Sequence, residues 1–339
     1  MQNLARSSSQ PPPTLRSSAM LDDVERMMRS LSAGERMERT GVMVQEHLAT
    51  GGKRIRARLS LCAMEALGGA RSSAVGWATA VELLHNATLI HDDIQDGDRV
   101  RRGQPTTWVR HGIAQAINAG DLLLMLPFLA VSHAPEDRRW RLCQLLAEGA
   151  TRVVRGQVEE LSMLPSESVS MEAWKRVVEG KTGGLFCLPV EGAAILAGHS
   201  EEESARIAAA FMPLGVLFQL QDDVLDLYGD KGREAPGADL REGKISALVV
   251  AHLERCPEDR AWLLELLRCP RQETTSAAVE DAIARFRRSG ALADVLDDIL
   301  HQIQLVESAE VLQAYPALRG VALQITALAM QPISHLWRV

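Results

Sequence analysis

The sequence predicts an all-α fold, most simply one large helical bundle, and three observations predict it. Helical periodicity runs almost unbroken after residue 20, and alternating strand patterns are nearly absent. Aromatic residues make up only 4% of the chain, while Leu, Ala, Arg, Glu and Val dominate, a mixture that favours helices over strands. At 339 residues and 46% hydrophobic, the chain is long and apolar enough for a large core.

The elements follow in order. Residues 1–20, with a Pro-Pro-Pro run and many serines, read as a disordered N-terminal tail. One domain is expected over 21–339, since no low-complexity linker or repeat divides it. "MLDDVERMMRSLSAG" opens with acids and ends on Gly34, as a helix does. "AVGWATAVELLHNATLIHDDIQ" is a long apolar helix that turns acidic at its end. "GIAQAINAGDLLLMLPFLAVSHA" and "RRWRLCQLLAEGATRVVRGQVEELSML" are two more. Further helices are expected over 171–199, 201–228, 244–255, 258–268, 275–289, 290–305 and 308–330.

The formal net charge of −7 and pI of about 5.8 give no basic surface for nucleic acid. The five cysteines are scattered and form no CxxC pair, which suits reduced thiols in a cytoplasmic protein. The longest apolar run, "LLLMLPFLAV", is interrupted by Pro127 and falls short of the roughly 20 residues of a membrane span. No h-region marks the N-terminus as a secretory signal.

Four clusters carry chemistry. Asp92, Asp93 and Asp96 form DDxxD at the end of a nearly all-apolar helix. Positions i and i+4 share a helix face, so Asp92 and Asp96 project side by side, where a hard divalent cation binds. The pattern recurs in "FQLQDDVLD" as Asp222, Asp223 and Asp226. Two such helix ends facing each other across a bundle suit a shared metal cluster. "GGKRIRAR" sets glycines before Lys53, Arg54, Arg56 and Arg58, as in a loop that closes on phosphate. "GKTGG" places Lys181 and Thr182 in an apolar region, and "REGK" adds Lys244. The former lacks Walker A spacing and a preceding strand, which excludes a nucleotide-binding loop.

Together and in this order, "GGKRIR", "LLHNATLIHDDIQD", "RRGQPTTW", "GKTGG", "FQLQDD" and "DLREGK" resemble the trans-isoprenyl diphosphate synthases, or polyprenyl synthetases. The resemblance implies a bundle of the isoprenoid synthase type around a central substrate cavity. It implies that Asp92, Asp96 and Asp222 bind three Mg2+ ions under an allylic diphosphate, with Asp93, Asp223 and Asp226 in support. Arg101, Lys181 and Lys244 would contact that diphosphate. Lys53, Arg56, His85 and Arg102 would hold isopentenyl diphosphate, and Thr182 and Gln219 would line the reacting centre. Released pyrophosphate is the implied base, and a homodimer is the implied assembly. His85 lies two turns before Asp92 on the same face, where the family carries its isopentenyl-binding histidine.

The chain departs from the family pattern at Ala57, where proline is usual, and at Glu234, where lysine is usual beside Arg233. Ser246 and Leu248 stand for the usual threonine and proline. Product length follows from the helix that carries Asp92. Ala87 and Thr88 are small, so the pocket is not expected to close at fifteen carbons. Leu84 and Val81, or Met125 and Phe128 from the next helix, are candidates for its floor. Geranylgeranyl diphosphate is the expected product, with a longer polyprenyl or a farnesyl diphosphate as alternatives. A class I terpene cyclase or an inert partner subunit are the rivals of another class. The cyclase would not need a second diphosphate site, and the inert subunit would lack an aspartate motif.

Overall fold

The computed structural model describes residues 14–15, 21–34, 38–163, 170–229 and 236–338. Helices dominate. α1 (Asp22–Ala33), α2 (Arg39–Ala49), α3 (Ile55–Ala66) and α4 (Val75–Gln95) lead to an antiparallel pair of two-residue strands, β1 (Val100–Arg101) and β2 (Gln104–Pro105). α5 (Thr107–His111), α6 (Ile113–Val131), α7 (Glu136–Ser162), α8 (Met171–Val178) and α9 (Gly184–Leu196) come next. The second half holds α10 (Glu201–Ala209), α11 (Met212–Tyr228), α12 (Ala238–Arg241), α13 (Ala247–Arg255), α14 (Arg260–Arg268), α15 (Ser276–Ser289), α16 (Ala291–Ser308), α17 (Glu310–Gln313) and α18 (Pro316–Met330).

α4 is the central helix. It is buried along most of its length, including Trp77, Val81, Leu84, Ala87 and Ile90, and packs most extensively on α6. α3 packs on α9, and α11 on α16. Short polar residues start several helices: the Ser170, Ser200, Ser246 and Thr275 side chains accept from the backbone N–H three residues on, satisfying donors the first turn leaves free.

Periodicity merged some helices that the chain divides. The expected 201–228 helix breaks at Ala210 because Pro213, in the first turn of α11, cannot continue α10. Pro316 likewise separates α17 from α18. The expected 171–199 helix contains a π-helical turn, Glu179–Gly183. Periodicity also passed over α3, since Leu59 to Met64 are all buried and no polar stripe remains.

Leu15 falls inside the stretch expected as a disordered tail, yet it is buried. Its N–H donates to Gln324 Oε1 at 3.1 Å and its carbonyl accepts from Arg58 at 2.6 Å. Residues 1–13 and 16–20 of that tail lie outside the described residues. α6 corrects a second expectation: by length and composition it could cross a membrane. Here it is a wall of the bundle, with Ala116, Ala119, Gly120, Leu123, Leu126 and Ala130 turned inward.

Candidate active site

Asp92 and Asp96 sit one turn apart at the end of α4, each facing a lysine from another part of the chain. Lys181 Nζ lies 3.9 Å from Asp92 Oδ2, and Lys244 Nζ lies 2.7 Å from Asp96 Oδ2. Burial pushes the Asp92 carboxyl up to about 6, against the pull of Lys181. Burial alone lowers the Lys244 ammonium, but the Asp96 and Glu242 carboxylates outweigh it and hold it well above the usual lysine range. Both lysines are therefore cations held against carboxylates.

Asp93 does not join this face. One residue further along, it points about 100° round the helix and is only 1% exposed. Arg101 donates to its Oδ1 through Nε at 2.7 Å, with Nη2 at 2.6 Å. Asp93, expected to support a metal, here anchors Arg101, which lines the cavity.

The second motif divides its labour differently. Asp222 is exposed to the cavity that Asp96 also lines. Asp223 accepts from Gln219 Nε2 at 2.9 Å and from the Ala247 N–H at 2.7 Å. Asp226 accepts from the Asp239 N–H at 3.2 Å, and its carbonyl accepts from the Gly237 N–H at 2.9 Å. Both, expected to support a metal, are buried and serve here as acceptors. They fasten residues 237–247 to α11 and so bring Lys244 to Asp96.

A cationic cluster shares the cavity with Asp96 and Asp222. Lys53, Arg56, His85 and Arg102 line the same cavity, of about 1650 Å3. Arg56 Nη1 lies 3.1 Å from His85 Nε2. Burial and the neighbouring Arg56 and Arg102 hold His85 well below its ordinary value, so the ring is neutral and accepts this bond. Arg102 donates to the Gly51 carbonyl and lies flat on Gly52. A Cβ on Gly52 would stand 2.7 Å from that guanidinium, and the residue has φ +137°, so only glycine fits. Arg54 of the same loop is turned inward, donating to Glu25 Oε1 and to the Leu48 carbonyl, both at 2.8 Å. Ala57, where the family carries proline, donates its N–H to buried Glu82 at 3.1 Å. Proline would lack that donor.

Lys181 and Thr182 occupy the π-helical turn, a form common at functional sites. Lys181 also donates to Glu160, and Thr182 Oγ1 donates to Gln219 Oε1 at 3.4 Å. Two glycines admit this turn to the bundle. A Cβ on Gly156 would lie 2.5 Å from Lys181 N, and one on Gly215 would lie 2.3 Å from Gly183 Cα.

Below Asp92, Val81, Leu84 and Ala87 are buried, and the half-buried Thr88 donates to the His85 carbonyl at 2.8 Å. Met125 and Phe128 are 58% and 38% exposed on the outer face of α6. Neither lines the cavity described here. Ser246 caps α13 and Leu248 is buried behind it. Arg233 and Glu234 lie outside the described residues. A separate groove of about 1140 Å3 carries Arg152, Arg155 and Arg176 but none of the aspartates.

The donor set suits Mg2+. Among the described residues no three His, Cys, Asp or Glu side chains form a closed metal cage. Mg2+ typically takes one or two carboxylates and completes its shell with water and substrate phosphates, and Asp92, Asp96 and Asp222 offer that arrangement. Motif reading missed Glu160, Gln157 and Arg271, and gave no role to Glu242 although it lies within REGK. Gln157 donates to Gln95 Oε1 at 2.7 Å. Glu160, Gln157 and Arg271 share no spacing with the motifs they support, so no local signal marked them.

The architecture is that of the prenyl synthases. A crystal structure of a geranylgeranyl pyrophosphate synthase superposes with TM-score 0.84 at 26% identity, covering 95% of this chain and 99% of the other. A polyprenyl synthase from Caulobacter crescentus, solved with calcium and isoprenyl diphosphate, gives 0.82 at 26% identity, over 92% and 94%. The short chain isoprenyl diphosphate synthase of Methanothermobacter thermautotrophicus is 32% identical over 88% of this chain and 92% of its own. The geranylgeranyl pyrophosphate synthase of Geoglobus acetivorans is 34% identical over 79% and 88%. The polyprenyl synthetase family model matches residues 38–286. The chain belongs to that family and is a prenyltransferase.

Proposed function

We propose that this chain joins isopentenyl diphosphate to an allylic diphosphate in an Mg2+-dependent reaction and makes mainly geranylgeranyl diphosphate. The observation that carries the reading is the pairing of two cationic clusters on one site. Lys181 and Lys244 pair with Asp92 and Asp96, while Lys53, Arg56, His85 and Arg102 form a second group that lines the cavity. Two clusters suit two diphosphates. A cyclase needs one, and an inert subunit would not retain both aspartate motifs.

Asp92, Asp96 and Asp222 would hold three Mg2+ ions, which when bound neutralise the charge growing on the leaving diphosphate. Lys181, Lys244 and Arg101 donate to the same group, strengthening as the carbon–oxygen bond breaks. Lys53, Arg56, Arg102 and neutral His85 grip the isopentenyl diphosphate and aim its double bond at the allylic carbon. Thr182 and Gln219 line the reacting centre. The apolar flank of α4 keeps water from the allylic cation. The absence of a bulky aromatic at Ala87 and Thr88 supports a twenty-carbon product, and geranylgeranyl synthases recur among the relatives.

We also propose a homodimer through α6 and α7. Ile113, Ile117, Met125 and Leu129 form an exposed stripe at multiples of four residues, interrupted by Asp121, and α7 adds exposed Trp140, Val154, Val158 and Leu161. So large an apolar face marks an interaction surface. Five cysteines held outside any disulfide support a reducing, cytoplasmic setting. The test is a product assay with labelled isopentenyl diphosphate, Mg2+ and dimethylallyl, geranyl or farnesyl diphosphate. A dominant twenty-carbon product is expected. A ladder running longer would overturn the product length, and no incorporation with any primer would overturn the condensation.

A further inference from the structure

Arg271 belongs to no motif, yet it closes a ring of charges at the mouth of the cavity. It lies between α14 and α15. Its Nη1 is 3.1 Å from Glu242 Oε1, 3.6 Å from Asp98 Oδ1, and 3.4 Å from the carbonyl oxygens of both Asp96 and Gly97. Glu242 is almost wholly buried, and its other oxygen lies 3.0 Å from Lys244 Nζ. The same ammonium is 2.7 Å from Asp96. Arg241 completes the lacing from the opposite side, donating to the Thr274 carbonyl in the segment that carries Arg271.

Lys244 is thus shared between two carboxylates, Asp96 and Glu242. A buried carboxylate demands a cationic partner. Arg271 supplies part of that demand, which leaves Lys244 close to Asp96. Without Arg271, Glu242 would depend on Lys244 alone and draw it away. Arg271 also pins the turn that ends α4 by two carbonyls, so it fixes Asp96 from the backbone side.

We propose that Arg271 is a positioning residue for the allylic half of the site, holding Glu242 and the Asp96–Asp98 turn so that Lys244 and Asp96 meet the diphosphate together. The inference rests on the reaction proposed above. Its test separates the two, because it reads binding as well as turnover.

Inorganic pyrophosphate with MgCl2 is titrated calorimetrically into the full chain, wild type and variants, beside steady-state kinetics and thermal melts. Arg271→Ala is expected to weaken pyrophosphate binding about tenfold, the scale of one charge-assisted contact. It should raise KM for the allylic substrate similarly and leave KM for isopentenyl diphosphate unchanged. Arg271→Lys should recover part of the loss. Glu242→Gln added to Arg271→Ala should restore binding, since the competing carboxylate is then neutral. Unchanged pyrophosphate binding in Arg271→Ala would overturn the inference. So would an equal loss for both substrates without rescue by Glu242→Gln. If Arg271→Ala does not fold, Arg271→Gln, which removes the charge and keeps much of the bulk, carries the same comparison, and wild-type binding in that variant with no KM change overturns it. A wild type that binds pyrophosphate but never condenses would overturn the proposed reaction, and the titration would still decide Arg271.

Discussion

The two aspartate motifs have the same spacing and do different work. At the end of α4, Asp92 and Asp96 face Lys181 and Lys244 at 3.9 Å and 2.7 Å, while Asp93 is buried against Arg101. On α11, Asp222 is exposed and lines the cavity. Asp223 and Asp226 are consumed as acceptors for the N–H groups of Ala247 and Asp239. The difference arises from the path of the chain beyond each helix. After α4 the chain leaves in a turn and the small hairpin, and both i and i+4 keep a lysine ammonium as partner. After α11 the chain folds back as residues 237–247 and covers the i+4 position.

The sharpest way to break the comparison is to remove the lysine-paired carboxylates. Asp92→Ala and Asp96→Ala are each expected to lower kcat by roughly 10²–10³-fold or more, with melting temperatures near wild type. Wild-type turnover in either variant would sink the assignment of the metal face. Asp223→Ala should do the reverse. It leaves the buried Ala247 N–H without its acceptor, at about 1–3 kcal/mol, seen as a lower denaturant midpoint, with activity falling because Lys244 is released. An Asp223→Ala protein as stable as wild type would show that the two motifs are not divided as described.

Gly215→Ala probes the turn that serves both motifs. The added Cβ meets the backbone at Gly183 Cα, where no side chain can swing aside. Overpacking of this kind costs about 1–3 kcal/mol, and Thr182 moves with it, so stability and turnover should fall together. Smallest in consequence is the behaviour of the thiols. Burial pushes Cys62 and Cys187 up to about 12. A thiol so raised stays protonated and unreactive throughout the neutral range, forming thiolate only as pH climbs towards that value. At pH 8, iodoacetamide should label Cys256 and Cys269, which are partly exposed, and spare Cys62 and Cys187 until the fold opens. Mass spectrometry of the alkylated peptides checks this.

Much of the site was legible because its motifs are local. DDxxD on an apolar helix, glycines before cations and an acidic first turn each fit within a few residues, and helical spacing turns them into faces. Residues that hold the motifs were not legible. Glu160 beside Lys181, Arg271 beside Glu242, and Glu82 beneath Ala57 join parts of the chain that meet only in three dimensions. The same holds for α3: its burial on all sides erased the polar stripe that periodicity needs. Met125 and Phe128 had the right size for a pocket floor and the wrong direction, because α6 turns its small residues inward.

By itself, then, the sequence determined the helical class, the order of the acidic and basic clusters, and which carboxylates share a helix face. These depend on spacing along one helix, which the backbone period sets. The tertiary structure alone decided which of six aspartates are buried, which cation faces which carboxylate, and that Arg271 closes the ring around Glu242. Those facts depend on which distant segments come to lie against each helix end, and burial there converts an aspartate from a ligand into a fastening.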